Sequence, residues 1–156
     1  MNELQQIVTA HALFGGMKPQ HLATLADGAK KAEYKAGDTL FRQGEPANQF
    51  YLILSGKVSL EAHEPGAGTV PVQTLGPGEL LGWSWLFPPF VWNFQARAVE
   101  RTEVIAISGG HLLSSAERDH EFGYELMKRV AQVVIKRLQT ARKQLLDLQT
   151  ESALEG

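Results

Sequence analysis

The sequence predicts an α+β protein, in which short N-terminal helices lead into a β-roll (jelly roll) or barrel and one long helix follows. Three observations predict it. Between residues 34 and 107, short runs of β-branched, aromatic and aliphatic residues recur with Gly at nearly every corner, which suits a closed or doubly layered all-β unit. On either side of this stretch the apolar period becomes helical. From Tyr124 onward, Met127, Ala131, Val134, Leu138, Ala141, Leu145 and Leu148 follow at alternating steps of three and four, an a/d heptad seam.

At 156 residues, 44% hydrophobic and 21% charged, the chain suits one soluble domain with its own core. We divide it into a single domain over 1–149 (N-terminal helices 2–30, β-roll 31–108, C-terminal helices 111–149) and a tail over 150–156. The net charge of −2 advertises neither nucleic acid nor an acidic membrane surface. The absence of cysteine excludes disulfides, thiolate metal sites and a cysteine nucleophile. No basic leader with an apolar core and no apolar run near about 18 residues is present, so a cytoplasmic location is expected and a membrane is not.

In order, Leu4, Ile7, Val8 and Leu13 fall at helical spacing, and Gly15-Gly16 closes that helix. Pro19 sits where a helix start tolerates it, with Leu22, Leu25 and Ala29 continuing a second helical face. Thr39 to Arg42 reads as a short strand after the turn at Gly37-Asp38, and Gln43 to Pro46 as the next turn. Phe50 to Leu54 is a strand ending at Ser55-Gly56-Lys57. Val58, Leu60 and Ala62 alternate with Ser59 and Glu61, the period of a strand buried on one face. Glu64 to Thr69 reads as a solvated hairpin tip, and Val70, Val72 and Leu75 as a returning strand. Ala96 to Ile107 alternates and then becomes continuously apolar before Ser108-Gly109-Gly110. His111 to Arg118 is a short helix, and Asp119 an N-cap for the long helix reaching about Gln149. Leu126, Val130 and Val133 form a second stripe, so one face is expected to pack on the roll and the heptad seam (Met127, Ala131, Val134, Leu138, Ala141, Leu145) on a second copy, giving a homodimer.

Leu75 to Phe94, read as LGPGELLGWSWLFPPFVWNF, stands apart. It holds a Gly-Pro-Gly turn, Gly82, all three Trp of the chain and Pro88-Pro89. Glycines there leave backbone amides unshielded. Trp83 to Phe87 is too short for an independent helix and too apolar for a solvated loop, which predicts one helical turn closing over a cavity.

Several of these stretches resemble one known family. Lys35-Ala36-Gly37-Asp38-Thr39-Leu40-Phe41-Arg42-Gln43-Gly44-Glu45, Phe50 to Val58, and Leu75-Gly76-Pro77-Gly78-Glu79-Leu80-Leu81-Gly82 are similar to the strand, turn and phosphate-cassette patterns of the cyclic-nucleotide-binding domain of the catabolite activator family. Ala12-Leu13-Phe14 with Leu22 and Leu25 looks like its helical entry, and Arg137-Leu138-Gln139 lies in the long helix as in its DNA-binding members. The resemblance, over roughly residues 12–148, implies a cyclic-nucleotide-binding-type β-roll with a long C-terminal dimerisation helix and a sensory, regulatory role. It also implies where a ligand would sit: Gly82, Trp83, Ser84, Trp92 and Asn93 in the cassette, with Ala141 and Arg142 where the long helix reaches the base.

In that family a Glu follows the last cassette Gly and an Arg later pairs with the phosphate. Here the Glu position is Trp83 and the Arg position Trp92, followed by Asn93. An indole offers one N–H and a π-face where a guanidinium offers fixed charge and forked donors. Losing a charge-assisted hydrogen bond of about 1.5–3 kcal/mol weakens phosphate binding, so ordinary cyclic AMP binding is not expected. Arg97 alternates with Ala96 and Ala98 and reads as an outward strand residue. Two readings stay open. The aromatics Trp83, Trp85, Phe87, Phe90, Trp92 and Phe94 either line a pocket for a cyclic nucleotide or another small aromatic metabolite, or they plug it and leave a scaffold for a protein partner.

Catalytic residues are not expected: no G-x-S-x-G, Walker A loop or paired carboxylates occur, and Ser84 has no local base. The five histidines show no ligand spacing, so neither a metal nor a resident cofactor is expected. His111 and His120 read as surface residues. The pairs Lys128-Arg129, Lys136-Arg137 and Arg142-Lys143 read as the solvated side of a coiled coil. DNA-binding relatives continue into a helix-turn-helix, so direct nucleic-acid binding is not expected.

Overall fold

The computed structural model describes residues 2–155. Helix α1 (Glu3–Ala10) starts on a capping box in which Asn2 and Gln5 exchange side-chain and backbone hydrogen bonds. A single 3-10 turn at Ala12–Phe14 follows, capped by the His11 ring, and α2 (Pro19–Asp27) opens on proline. Eight strands come next: β1 (Ala29–Tyr34), β2 (Thr39–Phe41), β3 (Gln49–Ser55), β4 (Val58–Glu64), β5 (Gly68–Leu75), β6 (Leu80–Leu81), β7 (Gln95–Ala98) and β8 (Thr102–Ser108). They form two four-stranded sheets, ordered β1-β8-β3-β6 and β2-β7-β4-β5, and every pairing is antiparallel. The chain closes with α3 (Gly109–Arg118) and α4 (His120–Glu155).

The roll's interior is built by residues of the legible apolar runs, among them Phe50, Leu52, Val104 and Ile105, and by the alternating Val58 and Leu60. Three boundaries and one strand face differ from expectation. Ala29 belongs to β1, opposite Ile107, because pairing with β8 captures it from the end of α2. The run from Ala96 to Ile107 divides at Val99–Arg101 into strands of different sheets, so its change of period marks a corner. In β4, Ser59 and Glu61 are buried as well as Leu60. Glu61 accepts hydrogen bonds from Arg97 (2.9 Å), Gln95 (2.9 Å) and Ser59 (3.2 Å), so its charge is met by partners instead of water. Helix α4 passes the expected end at Gln149 and continues to Glu155, through the segment expected as a tail.

Asp119 caps α4 as predicted, with Oδ1 accepting from the amides of Glu121 and Phe122 at 3.1 and 3.2 Å. The first turns of α4 bury Phe122, Leu126 and Val130 in the core, packing on α3 and, through Phe122, on His21 of α2. Past them the helix projects along the mouth of the roll. At about 1.5 Å per residue its 36 residues extend some 54 Å.

Two polar anchors were not legible. His21 is buried, with Nε2 3.3 Å from Asp119 Oδ2. Arg129, expected on the solvated side of a coiled coil, is only 7% exposed. Its guanidinium donates to the carbonyls of Leu13 and Gly15, both at 2.9 Å, and to the Glu125 carboxylate, sewing α4 to the 3-10 turn. His111 likewise turns inward, its Nε2 2.7 Å from the Thr24 carbonyl.

Candidate functional site

The segment between β6 and β7 forms one wall of a cavity and α4 forms the other. Gly82 leaves β6 at φ +92°, in the left-handed region that L side chains resist. A Cβ there would lie 2.9 Å from the Gln49 carbonyl and 3.0 Å from the Trp92 ring, so this position has neither the dihedral nor the space for another residue. The predicted helical turn is a 3-10 turn at Ser84–Leu86. Trp85 Nε1 donates back to the Gly82 carbonyl at 2.5 Å, and its ring packs on Phe50 and against Gly109 at the start of α3.

The aromatic residues of this stretch have three fates. Trp85 and Trp92 are core: Trp92 is 4% exposed and stacks on Phe41 with ring centroids 3.8 Å apart. Trp83 and Phe94 line the cavity, which Trp92 also borders from the core. Phe87 and Phe90 are exposed at the tip, around the Pro88-Pro89 turn.

The cavity holds about 290 Å³. Of the residues expected at a ligand site, Gly82, Trp83, Ser84, Trp92, Asn93 and Ala141 line it together. Arg142 does not. It follows Ala141 by one residue, about 100° round the helix, and is exposed. The arginine that lines the cavity is Arg137, one turn before Ala141 on the same face. Sequence reasoning assigned Arg137 to the solvated side; the i−4 relation to Ala141 was the signal that could have found it. Gln73, Val134 and Leu138 also contribute.

Arg137 sits with its guanidinium carbon 5.5 Å from the Trp83 ring centroid, and Nη2 donates to the Leu80 carbonyl. Burial pushes its pKa below the ordinary arginine value, and the Glu79 carboxylate acts in the opposite direction. Arg97 points away from the cavity to Glu61, the outward orientation its alternation predicted.

The Gly76–Gly78 turn that opens the cassette is tied to the N-terminal segment. His11 Nδ1 accepts from the Leu13 amide at 3.0 Å, leaving Nε2, 2.6 Å from the Gly78 carbonyl, as the donor. A second cavity of about 370 Å³ lies beyond Trp83, where Phe87, Pro88 and Pro89 face Met127, Ala131, Val134 and Ile135 of α4. The expected dimer seam is exposed along the projecting part of the helix, with Leu138 67% and Leu145 57% accessible. Val134, Leu138 and Ala141 therefore belong both to that seam and to the cavity rim. Among the described residues, no group of three or more His, Asp or Glu is placed to hold a metal ion, and no helix is long and apolar enough to cross a membrane.

The family described as "Cyclic nucleotide-binding domain" matches residues 31–119. The CRP-like cAMP-activated global transcriptional regulator of Mycobacterium tuberculosis is 25% identical over 146 residues, 93% of this chain and 63% of that protein. The chain thus spans less than two thirds of this relative's length. Among solved structures, a cyclic nucleotide-binding domain from Methylobacillus flagellatus superimposes with a TM-score of 0.79 at 19% identity, covering 92% of this chain and 81% of that one, a likeness of fold. The Catabolite Activator Protein of Thermus thermophilus gives a TM-score of 0.67 at 30% identity, over 90% of this chain and 64% of that one.

Proposed function

The chain belongs to the cyclic nucleotide-binding domain family, and we propose that it works there as a non-catalytic, cytoplasmic sensory module whose ligand occupies the cavity between the cassette and α4. The observation that carries this reading is the cavity itself. Six of the seven residues expected at the ligand site surround about 290 Å³ of space, and α4 supplies part of its wall. A ligand there touches the cassette and the helix at once, so binding shifts how the two are held together. The module acts as a homodimer through Met127, Ala131, Val134, Leu138, Ala141 and Leu145. Because Val134, Leu138 and Ala141 also rim the cavity, a partner helix on the seam covers its mouth, and ligand and dimerisation favour each other.

The plugged scaffold draws support from Trp92, which fills the core beside Phe41. Trp83 speaks against it, because its ring lies at a cavity wall under Arg137 and not in the packed interior.

The test is a thermal-shift titration with cyclic AMP, cyclic GMP and a panel of cytosolic metabolites. A ligand at about 100 times its dissociation constant adds about 2.7 kcal/mol of stability. A saturable shift with any member supports the sensory reading. Silence across the panel would turn the assignment to the protein-binding scaffold.

A further inference from the structure

The second cavity, the groove beyond Trp83, is apolar on both walls. Phe87, Pro88 and Pro89 of the cassette tip face Met127, Ala131 and Ile135 of α4 across about 370 Å³, with Ser84 and Asn93 as the hydroxyl and amide of its lining. Ile135 is exposed, and so are the tip rings, Phe87 to 59% and Phe90 to 45%. At about 200 Å² for an aromatic side chain, the two rings leave roughly 200 Å² uncovered. That is about a quarter of the roughly 800 Å² that each partner brings to a stable interface.

The heptad of α4 specifies the covering element. With Ala131 and Leu138 at a positions and Met127 and Val134 at d, the flanking e positions are Lys128, Ile135, Arg142 and Gln149. The g positions are Val130, Arg137, Gln144 and Glu151. Each set has one apolar member, and these two, Ile135 and Val130, both line the groove. In a parallel pair of helices a g residue faces the e residue of the next heptad in the other helix. Val130 therefore meets the Ile135 of a second copy, an apolar pair at the level of the cassette tip. The next such pair is Arg137 with Arg142, whose like charges would oppose association. Arg137 is withdrawn from that flank, since its guanidinium donates to the Leu80 carbonyl beside the Trp83 ring.

We propose that the groove seats the α4 helix of a second copy of this chain, an inference that rests on the dimer reading given above. Ile135 of one copy enters between the cassette tip and Met127 of the other, and two-fold symmetry makes the contact twice. Trp83, Ser84, Asn93 and Val134 line both this groove and the first cavity. Trp83 is thus a partition, with the ligand cavity on one side and the second copy on the other. A ligand that shifts Trp83 reshapes the seat of the partner helix.

The chain has no cysteine, so introduced cysteines report the contact. Full chains carrying Phe87→Cys and Ile135→Cys are mixed, left to exchange subunits and treated with a short bismaleimide. The expected result is a cross-linked dimer from the mixture in clear excess over either variant alone. In sedimentation equilibrium, Phe87→Ser with Phe90→Ser is expected to raise the dimer dissociation constant at least about tenfold. Circular dichroism checks that this variant keeps its helicity, and if it does not fold the cross-link alone decides. If Leu145→Glu abolishes the dimer while the tip variant leaves the dissociation constant unchanged, the groove assignment is overturned and the seam stands. The groove would then belong to an occupant other than this chain. No excess cross-link in the mixture would overturn the assignment equally. A monomeric unaltered chain would overturn both the groove and the dimer reading.

Discussion

The guanidinium carbon of Arg137 lies 5.5 Å from the centre of the Trp83 ring, so the long helix rests directly on the cassette turn. The same helix is tied to the 3-10 turn by Arg129 through the carbonyls of Leu13 and Gly15, and that turn reaches back to Gly78 through His11. Cassette, N-terminal turn and α4 are therefore joined in a closed ring of contacts, of which Trp83 and Arg137 line the cavity. A ligand that moves Trp83 alters one link of that ring, and α4 is the element with freedom to respond because its far half projects beyond the roll.

Trp83 and Trp92 are expected to part company on truncation. Trp92→Ala removes a buried ring stacked on Phe41 and should cost about 3–5 kcal/mol in urea denaturation. Trp83→Ala removes a half-buried wall residue and should cost about 1–2 kcal/mol while abolishing any ligand-induced stabilisation. Equal costs for the two would make Trp83 a core residue and not a cavity wall.

Gly82→Ala and Gly78→Ala separate strain from space. Both glycines have positive φ, +92° and +85°, but a Cβ on Gly78 meets nothing within 4 Å whereas one on Gly82 strikes the Gln49 carbonyl and Trp92. Gly78→Ala should destabilise by about 1–2 kcal/mol through the left-handed dihedral alone. Gly82→Ala should cost about 2–4 kcal/mol, the surplus reflecting the steric conflict. Thermal melts of the two variants, compared with the unaltered chain, read the difference.

Much of the fold was legible because glycine corners and period-two strands are local signals. Phe50 to Leu54, Val58 to Ala62 and the capping role of Asp119 needed no knowledge of the rest of the chain. The cassette turn at Ser84–Leu86 was legible for the same reason. What escaped depends on partners distant in sequence. Ala29 joins a strand because Ile107 lies opposite; Glu61 is buried because Arg97 and Gln95 stand beside it on the next strand. Arg129 and Arg137 look like the other basic residues of a solvated helix until the roll is folded against them. Arg142 was placed by resemblance, and the rotation of the helix leaves it off the cavity lining.

The seam on α4 predicts a dimer in sedimentation velocity at micromolar concentration. Leu145 is 57% exposed in the single chain and lies beyond the cavity, so Leu145→Glu should yield a monomer. Its effect on monomer stability should stay within about 0.5 kcal/mol, as for other exposed sites. A monomeric unaltered chain, or a dimer that tolerates the glutamate, would contradict the seam.

Acid should weaken the roll through Glu61. The hydrogen bond from Arg97, helped by those from Gln95 and Ser59, holds its carboxyl below the usual range, while burial works against this. A carboxyl whose pKa is depressed by folding contributes stability that is present above its unfolded pKa, about 4.3, and is lost as pH falls through the folded value. Glu61→Gln should therefore be less stable than the unaltered chain at pH 7, and the gap in urea midpoints should narrow toward pH 3. A gap independent of pH would show that packing, not charge, keeps Glu61 in place.

The most direct test fills the cavity. Ala141 lines it from an exposed helical position, so Ala141→Trp should occupy the space without disturbing the core. With the metabolite that best stabilises the unaltered chain, saturation should add about 2.7 kcal/mol at 100 times the dissociation constant. Ala141→Trp should keep its helicity and lose that stabilisation. An undiminished shift in Ala141→Trp would place the ligand elsewhere and contradict the cavity as the sensory site.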